Sequence, residues 1–232
     1  VLLALDTATT TASLAVYDLT SDQLLGEWTW QARRRQTQDL LPSARTLLAQ
    51  LQRTPQDLTA LAVTTGPGSF TGVRIAISVA KGMGVGSPAP LRVIGIPTLA
   101  VTAAPWLAPA GESDPPALVC AYIQAGRGRY NWVFFEPDDL LRRPAAEEHG
   151  FGHIDEFVDA LAAAAERPLW LAGEPTAELL EATAALPRVI ALDGVSGLRR
   201  AGQLARVAAL HLARGETDDL ATLQPLYLRK PG

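Results

Sequence analysis

An apolar run from Leu58 to Thr65 passes without a spacer into Gly66-Pro67-Gly68-Ser69-Phe70-Thr71-Gly72, and a helical pattern resumes at Val73 and continues to about Gly84. A strand that feeds through a glycine-rich loop into a helix commits this part of the chain to an α/β arrangement. The helix is apolar or small nearly all round, through Val73, Ile75, Ala76, Ile77, Val79, Ala80 and Met83, so more than one neighbour must cover it. Upstream, the apolar runs Val1 to Leu5, Ala12 to Tyr17 and Leu24 to Trp30 are separated by Asp6-Thr7-Ala8-Thr9-Thr10 and by Thr20-Ser21-Asp22. Such punctuation predicts three antiparallel strands. From Gln38 to Leu51 the residues Leu40, Ala44, Leu47, Leu48 and Leu51 recur at helical spacing, with Pro42 near the first turn or kinking it. Leu91 to Ile96 is one more strand, giving β-β-β-α-β-α-β.

Pro105, Pro109, Gly111, Pro115 and Pro116 cluster after this series, within a short apolar helix and a loop. They predict a boundary near residue 105, with an N-terminal lobe over 1–105 and a smaller α/β lobe over 106–232. The second lobe is expected to hold strands at 118–124, 130–136, 169–172 and 188–192 and helices at 154–165, 176–186 and 198–213. No repeat of solenoid or propeller period is evident.

The 232 residues are 48% hydrophobic and 19% charged, a balance that supports a real core. No apolar stretch reaches the length of a membrane span, and the opening run lacks a basic leader, so neither membrane insertion nor export is expected. The single cysteine, Cys120, allows no internal disulfide and suits a cytoplasmic protein. Residues 1–105 carry 8 basic and 6 acidic groups and residues 106–232 carry 12 and 18, for a net charge of −4. A chain that gripped RNA phosphates by itself would carry a basic face, and none is evident.

Asp6-Thr7-Ala8-Thr9-Thr10 offers hydroxyls, amides and one carboxylate at a strand-turn-strand corner, suited to phosphate or to a hydrated Mg²⁺, although Asp and Thr are also ordinary turn residues. The Gly66 to Gly72 loop places amides and a helix N-terminus together, an anion-ready arrangement. It lacks the Lys-Ser/Thr of a Walker A loop and the Gly-x-Gly-x-x-Gly spacing. Its glycines serve equally well to let backbones approach, with Phe70 as an anchor. Asp6, Thr7, Thr9, Gly66, Gly68 and Ser69 are thus the candidate phosphate-site residues. His149-Gly150-Phe151-Gly152-His153 has the i, i+4 spacing of a helical metal pair, but two glycines disfavour a helix, and a solvated loop is expected. Arg33-Arg34-Arg35 reads as a solvated loop, or as a contact for an acidic partner or RNA backbone, with Arg199-Arg200 as a second candidate. No general acid or base, no catalytic residue and no metal ligand is assigned.

Taken in order, Val1 to Thr9, the Leu40-Leu41-Pro42 helix, the run Gly66-Pro67-Gly68-Ser69-Phe70-Thr71-Gly72-Val73-Arg74-Ile75 and the terminal Pro225-Leu226-Tyr227-Leu228-Arg229 resemble the bacterial TsaB (YeaZ) family. The resemblance implies an actin-like ATPase (ASKHA, sugar kinase and Hsp70-type) fold in two lobes with a reduced second lobe. It further implies a non-catalytic, scaffold-like subunit in synthesis of threonylcarbamoyladenosine (t6A) in tRNA. Its partners would be the metal-bearing paralogue TsaD and the ATPase TsaE, with tRNA met only through the complex and a homodimer formed by the chain alone. The paralogue's His-x-x-x-His would fall near Gly95 to Leu99, where this chain has none. The family pairs through helices, which here implies an interface of Leu41, Ala44, Arg45, Leu48, Val73, Ile77 and Ala80. The chain departs from the family pattern at Thr10, Gln36 and Gln124-Ala125-Gly126, each lacking a charged or titratable group, so no tightly bound cofactor is expected and ATP is expected only in the complex. The rival reading from another class is a small-molecule kinase or ATPase of the same fold using Asp6 and Thr7, and a third is a metallopeptidase built on His149 and His153.

Overall fold

The computed structural model describes residues 1–33 and 35–228, so Arg34, Arg229 and Lys230 of the segments named above lie outside the described residues. The chain forms two compact units, Val1–Thr98 with Arg200–Leu226, and Leu99–Arg199.

In the first unit the opening strands are β1 (Leu2–Asp6), β2 (Thr11–Asp18) and β3 (Gln23–Gln31). They are followed by helix α1 (Gln36–Gln50), β4 (Ala60–Thr64), helix α2 (Phe70–Gly86) and β5 (Arg92–Ile96), as the spacing predicts. The sheet runs β3-β2-β1-β4-β5: an antiparallel meander, then β4 parallel to β1 and β5 parallel to β4. Strand alternation sends Leu3, Leu5, Leu14, Val16, Leu61 and Val63 to the face that receives Leu40, Leu47 and Leu48 of α1 and Val73, Ile77 and Ala80 of α2. The opposite face is lined by Ala4, Ala15 and Ala62, small enough for a helix to lie close. Helix α6 (Ala201–Ala213) lies there against β1 and β2, and the Ala201 N–H donates to Ser13 Oγ at 2.9 Å. Pro42 is the seventh residue of α1, in its second turn, where its carbonyl accepts from Thr46 Oγ1.

The expected boundary near residue 105 falls inside a continuous helix, α3 (Thr98–Glu112), which accommodates both Pro105 and Pro109. The division comes instead at Thr98, and the chain returns to the first unit at Arg200. Two things make it return. Helix α6 buries Leu204, Ala205, Val207 and Ala208, and the segment after it is tied down by a series of bonds. The Asp218 N–H donates to Val93 O at 2.7 Å, its carboxylate accepts from the Gly95 N–H at 2.7 Å, Lys81 Nζ donates to Ala221 O at 2.9 Å, and the Leu226 N–H donates to Thr65 O at 2.7 Å.

The second unit contains β6 (Leu118–Gly126), β7 (Arg129–Phe135), β8 (Gly150–His153), α4 (Ile154–Ala164), β9 (Leu169–Ala172), α5 (Ala177–Thr183) and β10 (Val189–Ala191). Its sheet runs β10-β9-β6-β7-β8 and repeats the first: a meander β6-β7-β8, then β9 parallel to β6 and β10 parallel to β9. Phe157 of α4 anchors the core, stacked 5.3 Å from Tyr130 and 4.8 Å from Trp132. Strand β8 replaces the solvated loop expected at 149–153. Its glycines are there for closeness: a Cβ on Gly150 would stand 2.1 Å from the Trp132 indole and one on Gly152 2.6 Å from the Glu156 carboxylate. That carboxylate accepts from the His153 N–H at 2.7 Å and begins α4. Two sheets of one connectivity, each with helices on it, make the actin-like ATPase fold.

Candidate functional site

The six candidate phosphate-site residues converge on one corner of the first unit, where the β1–β2 turn meets the loop that opens α2. The polar groups of that corner are engaged with one another. Asp6 is buried, and its Oδ1 accepts from the Ala8 N–H at 2.9 Å and from Thr64 Oγ1 at 2.8 Å. Thr7, also buried, donates from Oγ1 to the Gly72 carbonyl at 2.6 Å across 65 residues of sequence. Thr9 Oγ1 donates to Thr11 O and accepts from the Thr11 N–H, both at 3.2 Å, so it closes its own turn.

The α2 loop is built the same way. Gly66 has φ +106°, a left-handed conformation that favours glycine, and its carbonyl accepts from the Thr98 N–H at 2.8 Å. The Ser69 N–H donates to Ala8 O at 2.6 Å, and Ser69 Oγ caps the helix by accepting from the Gly72 N–H at 3.1 Å. Gly68 and Gly72 press on the β1–β2 turn: an added Cβ would lie 2.4 Å from Ala8 O and 2.0 Å from Thr7 O respectively. Close backbone approach is one of the two uses the sequence leaves open for these glycines, and Gly68 and Gly72 make it. The amides of Ser69 and Gly72 point to protein acceptors. Thr64 and Ala8 complete the corner although sequence reasoning did not single them out; the Thr64-Thr65 pair ahead of Gly66 was the available signal. Gln36, one of the departures, is buried and donates from Nε2 to Thr9 O at 3.2 Å, so it braces the same turn.

The helical surface departs from expectation. Ala44, Leu48, Val73, Ile77 and Ala80 each expose at most 4% of their surface, because they fill the core between α1, α2 and the sheet. They are therefore corrected from interface to core: a side chain packed under its own helix is not available to another chain. Leu41, at 43% exposure, and Arg45 remain outside. The outward face of α2 carries Phe70, 63% exposed with the Arg74 guanidinium 3.7 Å above its ring, then Arg74, Ser78, Gly82 and Val85. An added Cβ at Gly82 or Gly86 would meet nothing within 4 Å, so the end of this face is open.

The histidine pair does not converge. His149 precedes an extended strand that ends at His153, and four extended residues at about 3.3 Å each separate the two by about 13 Å, beyond any shared ion. Burial holds the His149 imidazole below its ordinary range, and its Nδ1 lies 2.9 Å from Ala145 O. Among the described residues no three His, Cys, Asp or Glu side chains group as a metal site, and no helix is long and apolar enough to cross a membrane. Cys120 is buried, and burial pushes its thiol well above the usual range.

Comparison with known proteins agrees with this architecture. The tRNA threonylcarbamoyladenosine biosynthesis protein TsaB of Escherichia coli (strain K12) is 30% identical over 236 residues, covering 98% of this chain and 94% of that protein. The chain belongs to the TsaB family. A family model described as TsaD: tRNA N6-adenosine threonylcarbamoyltransferase also matches residues 30–169. Two solved structures from Pseudomonas aeruginosa superpose along the whole length. One, described as an uncharacterized protein with similarity to peptidase YEAZ, has a TM-score of 0.76 at 27% identity, over 98% of this chain and 99% of its own. The other, described as YeaZ, has a TM-score of 0.69 at 26% identity with the same coverage. In this chain the corner between β1 and α2 is internally bonded through Asp6, Thr7, Ser69 and Gly72.

Proposed function

We propose that the chain is a non-catalytic scaffold and activating subunit of the bacterial machinery that makes t6A in tRNA. In this reading it is a cytoplasmic partner of the transferase TsaD and the ATPase TsaE, it meets tRNA only through them, and it pairs with itself when alone. The end-to-end similarity to TsaB carries the reading, because it spans both units and not just the glycine-rich loop. The closed corner supports the absence of independent catalysis. A kinase of this fold needs carboxylate and amides directed at phosphate, whereas here Asp6, Thr7 and Ser69 are bonded to Thr64, Gly72 and Ala8. The hairpin at the equivalent place in the second sheet, between β6 and β7, offers Gln124-Ala125-Gly126-Arg127-Gly128 and no carboxylate. ATP is accordingly assigned to the assembled complex rather than to these residues alone.

The partner surface in this reading is the outward face of α1 and α2: Leu41 and Arg45, with Phe70, Arg74, Gly82 and Val85. The small residue at Gly82 lets another helix come close, and the exposed apolar side chains beside it gain from being covered. The deciding experiment mixes the chain with TsaD, TsaE, threonylcarbamoyl donor and tRNA and measures modified nucleoside by mass spectrometry. Modification that depends on the chain, and that falls with Leu41→Glu while the melting curve holds, supports the proposal. Full modification in its absence, or steady ATP turnover by the chain alone, would favour the kinase reading. Ile77→Glu and Ala80→Glu are unsuitable probes, because either buries a charge in the chain's own core.

A further inference from the structure

The first sheet ends on an edge strand with little to guard it. Strand β3 runs for 9 residues, Gln-Leu-Leu-Gly-Glu-Trp-Thr-Trp-Gln, with no proline, no lysine and a single charge. Edge strands of this length are ordinarily protected by lysine, proline, a bulge or a covering element. The one bulge lies at the far end, opposite Val16/Tyr17, and leaves Glu27 to Gln31 regular. The register fixes which backbone groups are open. The Ala32 N–H donates to Thr10 O at 2.8 Å, and Ala12 pairs with Trp30 and Leu14 with Trp28. The even-numbered residues Trp28, Trp30 and Ala32 therefore bond toward β2, and Glu27, Thr29 and Gln31 turn their N–H and C=O groups away from the sheet. Among the described residues no strand pairs with that side.

Alongside the same edge lies an open groove of about 670 Å³ between β3 and the first half of α1, floored by Trp28 and Trp30 and walled by Asp39 and Pro42. Trp28 and Trp30 are half-buried on the α1 side of the sheet. A strand laid beside β3 at about 4.8 Å would place every second side chain over these two indoles. Among the described residues no lysine or arginine lines the groove, and Asp39 is the carboxylate beside the indoles; Glu27 also borders it, but its carboxylate turns to the α6 face of the sheet, where it accepts from Thr29 Oγ1. Among the described residues Asp39 pairs with Arg35 at 3.4 Å, an exposed pair that an incoming cation can replace.

We propose that β3 is a docking edge for an extended peptide segment of a partner protein, one that adds to the sheet as a sixth strand and sets arginine or lysine side chains at alternate positions over Trp28 and Trp30, within reach of Asp39. Backbone pairing to Glu27, Thr29 and Gln31 supplies the affinity, and the indole faces and the carboxylate select basic residues. A second copy of this chain is a poorer occupant, because its own β3 carries no lysine or arginine to set over the indoles. The surface is separate from the outward α1/α2 face of the preceding section, so either can fail alone.

The test uses the full chain and a synthetic nonapeptide, acetyl-Arg-Val-Arg-Val-Arg-Val-Arg-Val-Arg-amide, in three forms: unmodified, N-methylated on the amides of one edge, and N-methylated on those of the other. Binding is followed by tryptophan fluorescence and by hydrogen exchange at the Glu27, Thr29 and Gln31 amides. The expected result is saturable binding with slowed exchange at those three amides, weakened about tenfold or more by methylation of one edge only. Asp39→Lys should weaken it about threefold. Thr29→Pro, which removes an outward donor and leaves the pairing to β2, should abolish it. Equal binding of both methylated forms, no binding of the unmodified peptide at millimolar concentration, or a β3-mediated dimer of the chain that Thr29→Pro dissociates without any peptide binding would each overturn the proposal.

Discussion

Two glycine-to-alanine changes in one helix should shift stability in opposite directions. Gly72 and Gly82 both lie in α2, so each replacement gains the same intrinsic helix preference, about 1 kcal/mol. At Gly82 the new methyl meets nothing within 4 Å, and the gain is realised in full. At Gly72 the methyl would stand 2.0 Å from Thr7 O. An ordinary contact of that kind is about 3.3 Å, so the loop must retreat by over ~1 Å. That movement parts Thr7 Oγ1 from Gly72 O, now 2.6 Å apart and buried, and opens the Ser69 N–H to Ala8 O bond of 2.6 Å. Two bonds lost with their groups left enclosed cost about 1–3 kcal/mol each, so Gly72→Ala is expected to be destabilising by about 3 kcal/mol after the helix gain is subtracted. Urea unfolding reads the difference: with a slope of about 2–3 kcal/mol per molar, the midpoint falls by ~1 M or more for Gly72→Ala and rises by ~0.3 M for Gly82→Ala. Equal midpoints, or a rise for both, would refute the claim that the glycine-rich loop is a close-packed corner rather than an open anion cradle.

Other consequences follow from the same structure. Cys120 is buried with its thiol pushed up, so a thiol reagent should label it only as the protein unfolds, at a rate that tracks urea concentration. Burial, reinforced by the bond to Asp22, pushes the Tyr17 phenol up to about 12, above its ordinary value near 10. Because the folded state favours the neutral phenol, its contribution to stability is complete below about pH 10 and is lost as pH rises toward 12; Tyr17→Phe should flatten that alkaline loss in pH-dependent melting. Asp218→Ala leaves the Gly95 N–H without its 2.7 Å acceptor, so it is expected to cost about 1–3 kcal/mol and to hasten proteolytic cleavage between residues 216 and 226.

The first unit was largely legible because its signals are local: period-two apolar runs, turn residues between them and a helical stripe in α1. The tail was not. Helix α6 follows the second lobe in sequence and packs on the first sheet, and nothing in the spacing of Leu204, Val207 and Ala208 says which sheet they bury against. Prolines misled twice in one place, since Pro105 and Pro109 ordinarily end helices yet lie inside α3, whose Leu99, Ala103, Leu107 and Ala110 are buried. The interface was misplaced for a related reason. Helical periodicity identifies an apolar stripe but not its cover, and the sheet takes Val73, Ile77 and Ala80 before any partner can. Strand β8 was hidden because glycine is a poor strand former, and the reason for it, the Trp132 indole, lies on a different strand.

The two sheets share one connectivity without any visible repeat in sequence, and the difference between their first hairpins bears on what the chain does. In the first sheet the turn after β1 carries Asp6, Thr7 and Thr9, and each is bonded into the fold. In the second the turn after β6 is a tight one in which Gly126, Arg127 and Gly128 all have positive φ, and no acid or hydroxyl occupies it. A fold that keeps its topology needs the strands and helices but not the chemistry of its turns, so a turn can be given over to packing while the architecture persists. If packing is what holds the first turn, Asp6→Asn should lower stability by leaving Ala8 N–H and Thr64 Oγ1 with a weaker acceptor, while leaving the yield of modified tRNA in a reconstituted mixture at the wild-type level wherever the chain remains folded. A variant that stays folded and binds its partners but no longer supports modification would instead mark Asp6 as part of the chemistry.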